Sequence, residues 1–170
     1  MCRQAAEEAR VSRSSAGMPP FQEFLEANRA TVYRFLSVAV GPQDADDAFQ
    51  ETFLSALRAY PRVREPDKLD RWILAIASRK AIDHHRGAGR RALPTDDPPE
   101  RPVHDPAPPD PRDPLWAAVH ALPPRQRVAV VHRHVLDRPY AEIAELMGCS
   151  EQTARANVYQ GTKRLRELIA

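Results

Sequence analysis

Residues 141–160, AEIAELMGCSEQTARANVYQ, decide how this chain is read. The first half places small and apolar residues at helical spacing and runs into Gly148; the helical period resumes after Ser150. A helix pair joined by so short a turn needs a small residue where the second helix crosses the first, and Ala144 supplies it. The turn needs a residue tolerant of positive φ, which is Gly148, and Ser150 is a good N-cap for the second helix. Ala154, Val158, Gly161 and Leu165 then form an inward stripe, leaving Glu151, Gln152, Arg155, Tyr159 and Lys163 outside. This pattern is a helix–turn–helix. Arg155 suits a guanine edge or a phosphate, and Tyr159 a thymine methyl or a phosphate. Lys163 and Arg164 suit positioning on a nucleic-acid backbone.

Working outward, the same block begins at Pro114, with Leu115, Trp116, Val119 and Leu122 on a short helix. Pro123-Pro124 opens another helix that turns Val128, Val131 and Val135 inward. Before the block the helical period disappears. The segment LPTDDPPERPVHDPAPPDPRD, residues 93–113, has proline at 94, 98, 99, 102, 106, 108, 109 and 111. Such a segment holds no helix ladder, and six carboxylates against two arginines over 94–113 leave it at −4. It is expected to be an acidic, extended linker.

A second helical block precedes the linker. Residues 20–40 place Phe21, Phe24, Leu25, Val32, Phe35, Leu36 and Val40 at helical spacing, stopped by Gly41 and Pro42, with Pro42 suited to the mouth of the next helix. Residues 43–59 repeat the logic with Ala45, Ala48, Phe49, Phe53, Leu54 and Leu57 as apolar positions. A third helix is expected from about Asp67 to Arg86, built on Leu69, Trp72, Ile73, Ile76, Ala77 and Ile82. No β-alternation appears in this block. The fold class is therefore all-α, two small helical domains on a flexible, proline-rich acidic linker. The boundaries are a disordered tail over 1–17, a first domain over 18–88, the linker over 89–113 and a helix–turn–helix domain over 114–170. Met18, directly before Pro19-Pro20, offers an alternative start.

Net charge is only +2 over 170 residues, so distribution matters more than total. DADDAFQETF, residues 44–53, carries Asp44, Asp47 and Glu51 on an acidic helix, a face that suits a basic protein partner and repels DNA. RWILAIASRKAIDHHR, residues 71–86, opens a stretch to Arg91 with a net +5, which suits nucleic acid. His84-His85 cannot share a helix face, and His132 and His134 point apart, so no metal site or other cofactor is expected. Cys2 and Cys149 form neither a C-x-x-C nor a disulfide framework. The longest apolar run, Trp72 to Ala77, is too short for membrane insertion, and the first residues lack a signal-peptide core. A cytoplasmic protein is expected. No nucleophile–base pair or phosphate-cradling glycine loop is present, so it is not expected to be an enzyme.

Together these residues resemble the extracytoplasmic-function (ECF) sigma factors of the bacterial sigma-70 family, from about Phe21 to Leu168. DADDAFQETFLSAL resembles the segment that docks core RNA polymerase, which implies a polymerase-binding role for Asp44, Asp47, Phe49, Gln50, Glu51 and Phe53. RWILAIASRKAIDHHR resembles the −10 promoter segment, implying DNA contacts by Arg71, Trp72, Arg79, Lys80, Asp83, His84 and Arg86. Residues 121–168 resemble the −35-binding domain, with Glu151, Gln152, Thr153, Arg155, Ala156, Asn157, Tyr159, Gln160 and Lys163 on or beside the reading face. The resemblance further implies promoter DNA, core RNA polymerase and an anti-sigma factor as partners. The chain departs from the family at Arg79, where Asn is usual, and at Ala154, where Val is common. Asn157 and Gln160 stand where basic residues are frequent, which lowers the expected attraction for phosphates. A stand-alone helix–turn–helix regulator and a helical interaction adaptor are the alternatives. Neither gives both the acidic helix and the outward cations a role.

Overall fold

The computed structural model describes residues 17–87 and 113–170, with the side chains of residues 85–87 excepted. Residues 1–16 of the expected tail over 1–17, residues 89–112 of the expected linker over 89–113, and with them the cations Arg90 and Arg91, lie outside the described residues. Seven α-helices occur in order: α1 Phe21–Ala39, α2 Ala45–Ala59, α3 Leu69–Gly87, α4 Pro114–His120, α5 Pro124–His134, α6 Tyr140–Met147 and α7 Glu151–Ile169. Single 3-10 turns at Tyr60–Arg62 and Pro66–Lys68 carry the chain from α2 to α3. The described residues contain no strand, and the all-α expectation holds.

Local chemistry explains the helix ends. Asp113 accepts the Leu115 backbone N–H at 2.9 Å and caps α4, where Pro114 occupies a first-turn position that needs no N–H. Gly41 has φ +99° after α1, and a Cβ there would lie 3.2 Å from the His120 ring. Pro42 belongs to this turn rather than to the mouth of α2, whose cap position is Asp44. Asp137 takes φ +50° after α5, a left-handed conformation that Asp tolerates, and the Arg138 N–H returns to the His132 carbonyl at 3.0 Å. The buried hydroxyls of Ser37, Thr52 and Ser78 donate to the carbonyls of Tyr33, Ala48 and Leu74, each one turn back. These polar residues can therefore occupy core positions without a lost hydrogen bond.

Helix α1 packs on α2 and α3, while α5 packs on α6 and α7. The two blocks also pack on each other: α3 lies against α5 and α6, and α1 against α5. One hydrophobic cluster runs through both, from Phe35, Leu36, Ile73 and Leu74 to Val128, Val131 and Ile143. The sequence pattern reads two helical groups and does not anticipate this shared core. The reason lies in Arg127 and His132, polar residues that a hydrophobic pattern leaves at the surface and that are 4% and 0% exposed here.

Gly161 provides a test of the packing between α5 and α7. A Cβ at this position would come within 2.6 Å of Val130 Cγ2 and 3.3 Å of the Gln126 carbonyl oxygen. Gly161→Ala should lower stability by about 1–3 kcal/mol despite the better helix propensity of Ala. A second change, Val130→Ala, should recover part of that loss in thermal unfolding.

Candidate nucleic-acid and protein interfaces

The turn between α6 and α7 has the expected geometry. Gly148 is left-handed at φ 60°, ψ 46°, and the Ser150 hydroxyl accepts the Thr153 N–H at 3.1 Å. Ala154, Val158 and Gly161 are buried and Leu165 is half-buried, so the inward stripe faces the core. Glu151, Gln152, Thr153, Arg155, Ala156, Tyr159, Gln160 and Lys163 are exposed, with Tyr159 at 71%. Not all of them are equally available. The Thr153 hydroxyl lies 2.8 Å from Ser150 Oγ and belongs to the cap. Asn157 donates back to the Thr153 carbonyl at 3.0 Å, and Gln160 accepts from Gln126 of α5 at 3.2 Å.

Arg155 is held at the surface by two neighbours. Its Nη2 lies 2.6 Å from Glu151 Oε1, and its guanidinium carbon sits 4.6 Å from the centre of the Tyr140 ring. Arg133 of α5 approaches the same ring at 5.1 Å. Tyr140 therefore gathers two cations from separate helices beside the exposed face of α7. Sequence reading passes over Arg133 and Tyr140, because only tertiary packing brings their helices to the start of α7.

The candidate −10 residues on α3 do not form one open basic face. Arg79 and Asp83 are exposed, and Arg79 donates to its own helix at the Ala75 carbonyl. Lys80 reaches Glu51 at 3.7 Å and His84 reaches Asp44 at 3.1 Å, so both lean on α2. Trp72 is half-buried among aromatic rings, 5.9 Å from Phe24 and 6.2 Å from Tyr60. Arg71 turns to α6, 3.6 Å from Glu142 and 3.5 Å from Glu145. The Arg86 side chain lies outside the described residues.

On α2 the sequence-predicted residues divide between face and framework. Phe53 is 5% exposed, and half-buried Phe49 lies between Phe53, tilted at 4.7 Å, and Tyr33, edge-on at 5.9 Å. Both rings support the helix from inside. Asp44, Asp47, Gln50 and Glu51 are exposed. Leu54 and Leu57, expected in the core, stand outside at 52% and 49% exposed. The buried register is Ala45, Ala48, Thr52 and Ala56 with Phe53 beside it, and its small residues allow close helix packing and turn the leucines out. An outer stripe of Asp47, Gln50, Glu51, Leu54 and Leu57 results, acidic at one end and apolar at the other. The small-residue spacing was the available signal for it.

With this geometry in view, comparison with known proteins places the chain. Residues 24–91 match Sigma-70 region 2, and residues 112–165 match Sigma-70, region 4. The ECF RNA polymerase sigma factor SigE of Mycolicibacterium smegmatis is 33% identical over 165 residues, covering 91% of this chain and 63% of that protein. The ECF RNA polymerase sigma factor SigD of Mycobacterium bovis is 30% identical over 161 residues, covering 87% of this chain and 76% of that protein. The sigma factor RpoE of Bartonella quintana, solved with the anti-sigma factor NepR, shares the fold at a TM-score of 0.66 and 18% identity, covering 88% of this chain and 96% of that one. The chain belongs to the ECF sigma factors of the sigma-70 family. No helix among the described residues is long and apolar enough to cross a membrane.

The division on α2 is open to measurement. Phe53→Ala should cost about 3–5 kcal/mol in unfolding, as removal of a buried ring does. Leu54→Ala and Leu57→Ala should stay within about 0.5 kcal/mol of the parent, as exposed positions do. Equal destabilisation by all three would contradict the assignment of the leucines to a surface face.

Proposed function

We propose that this chain acts in the cytoplasm as a promoter-specificity subunit for core RNA polymerase. The outer stripe of α2 docks the polymerase, α7 reads the −35 element, and α3 engages the −10 element as the duplex opens. The working units are residues 18–88 and 114–170, joined by the segment 89–113. The observation that carries this reading is the pairing in one chain of two outward faces with opposite chemistry. An acidic and apolar stripe on α2 suits protein, and a capped reading helix presents Arg155 and Tyr159 to the major groove. A self-sufficient DNA-binding regulator would leave the first face without a partner.

Within this assignment the residues take distinct roles. Leu54 and Leu57 supply apolar area at the polymerase contact, Asp47, Gln50 and Glu51 supply charge and hydrogen bonds, and Phe49 and Phe53 hold the helix in place. Arg155, pre-oriented by Glu151 and Tyr140, reaches a base edge or a phosphate, with Gln152, Ala156, Tyr159 and Lys163 beside it. On α3, Arg79 is the cation most open to DNA, and Trp72 acts through packing. An anti-sigma factor is the expected regulator, since the related RpoE was solved with one. It would act by covering the faces of α2 and α7.

Run-off transcription with purified core polymerase tests the reading. The chain should direct initiation from a subset of genomic promoters, whereas a stand-alone regulator would direct none. Leu54→Glu should weaken polymerase binding at least roughly tenfold, equivalent to about 1.4 kcal/mol, while leaving DNA binding intact. Arg155→Ala should cost about 1–3 kcal/mol and relax preference at one −35 position if the contact is to a base. A phosphate contact would weaken all sequences alike and flatten the salt slope by about one unit. Wild-type activity of the Arg155 variant at every −35 base would remove α7 from the reading role.

A further inference from the structure

Where the two blocks meet, a histidine is buried. His132, on α5, is fully buried. Its ring stacks on Phe35 of α1, with centres 4.5 Å apart and planes 17° from parallel. Its Nε2 lies 2.7 Å from the Ser78 hydroxyl of α3. That hydroxyl also lies 2.7 Å from the Leu74 carbonyl oxygen, an acceptor that takes its one proton. The ring must then donate from Nε2–H to Ser78, which leaves Nδ1 as a bare lone pair. Nδ1 is buried without a hydrogen-bond partner. A second proton would therefore create both an N–H with no protein acceptor and a charge inside a buried contact.

The surroundings offer that charge no compensation. Helix α1 presents Phe35 and α3 presents Ser78, while α7 turns its uncharged stripe of Ala154, Val158 and Gly161 toward the core. The charge acting on the ring is Arg138, between α5 and α6, which is a cation. The carboxylates nearest Arg138, Glu142 at 2.6 Å and Asp70 at 3.9 Å, are already paired with it.

We propose that His132 is a proton-operated latch, which when neutral holds the C-terminal block closed over α1 and α3 and when protonated releases it. Desolvation first, and Arg138 second, push the ring down to about 3 in the closed form, against 6.5 ordinarily. Above the ordinary value both forms carry a neutral ring and closure has its full strength. Between 6.5 and about 3 only the open form takes up the proton. The ratio of closed to open molecules then falls roughly tenfold for each pH unit. Closure also occupies Arg71 with Glu142 and Glu145, so release frees a candidate promoter contact. That consequence rests on the sigma-factor reading; the latch itself does not.

The test uses the full chain without polymerase or DNA, so its outcome is independent of promoter function. Cys2 and Cys149 are replaced by Ser, and spin labels are carried by Ala27→Cys and Glu167→Cys, exposed positions on α1 and α7. Pulsed dipolar spectroscopy should show a short distance at about pH 7.5 and a longer component whose ratio to the short one grows roughly tenfold between about pH 7.5 and 5.5, with helix content unchanged by circular dichroism. His132→Gln, which can donate to Ser78 but cannot be protonated, should show no such growth. A longer component that is absent, that grows equally in the Gln variant, or that appears only with loss of helix overturns the proposal. Should the Gln variant fail to close at any pH, NMR of the His132 ring in the unsubstituted chain decides. A closed-form ring still neutral and protonated at Nε2 near about pH 5 upholds the latch, and titration near about 6.5 without opening overturns it.

Discussion

Helix α5 is surrounded on both sides, and the arrangement depends on satisfying the two polar side chains that it buries. Arg127 donates to the carbonyls of Ala39 at 3.1 Å, His120 at 2.5 Å and Leu122 at 3.0 Å. These carbonyls stand at the ends of α1 and α4, where helices leave acceptors unpaired and partial negative charge accumulates. One guanidinium thus closes two helix termini from different blocks. Burial lowers its pKa to about 10, which still leaves it charged at neutral pH. Removing it would take a charged donor away from three carbonyls at helix ends, a larger loss than the hydrophobic contact alone. His132 completes the same surface a turn and a half further along, with a neutral ring in place of a charge.

This buried polar seam separates framework from face. Helices that pack on α5 turn their small and apolar residues inward: Ala154, Val158 and Gly161 on α7, and Ile73, Leu74 and Ala77 on α3. Their outward residues are then displayed by geometry rather than by their own contacts. The partial exceptions are informative. Arg155 is steadied by Glu151 and Tyr140, and Gln160 by Gln126, so the reading surface of α7 is partly ordered before any ligand arrives. An exposed ion pair of this kind contributes little stability, and its effect is on orientation. On α3 the balance differs, because Arg71, Lys80 and His84 are each engaged by carboxylates from neighbouring helices.

Much of this was legible in the chain because helices leave a local record. Proline at the first turn, Gly148 at a left-handed position, Ser150 at the cap and apolar residues at helical spacing are short-range signals, and the helix bounds agree with them within a few residues. The outward set on α7 was legible for the same reason, since an inward stripe defines its opposite. Where the reading erred, the competing force was packing. Leu54 and Leu57 belong to the apolar pattern of α2 by residue type, yet Thr52 takes the buried position because its hydroxyl bonds the Ala48 carbonyl at 2.7 Å and its small side chain admits a close neighbour.

The sequence by itself determined the seven helices, their order, the hinge between the last two and the chemistry of the residues on their polar faces. These are consequences of backbone preference and periodicity, which act over a few residues. Only the tertiary structure decided that Arg127 and His132 are interior groups, that Tyr140 and Arg133 stand beside Arg155, and that Arg71 faces Glu142 and Glu145. Each of these depends on which helix ends and faces meet, between residues as far apart as Ala39 and Arg127 or Ser78 and His132. A polar side chain records no partner in its own sequence neighbourhood. Its burial is set by the helices that happen to close around it.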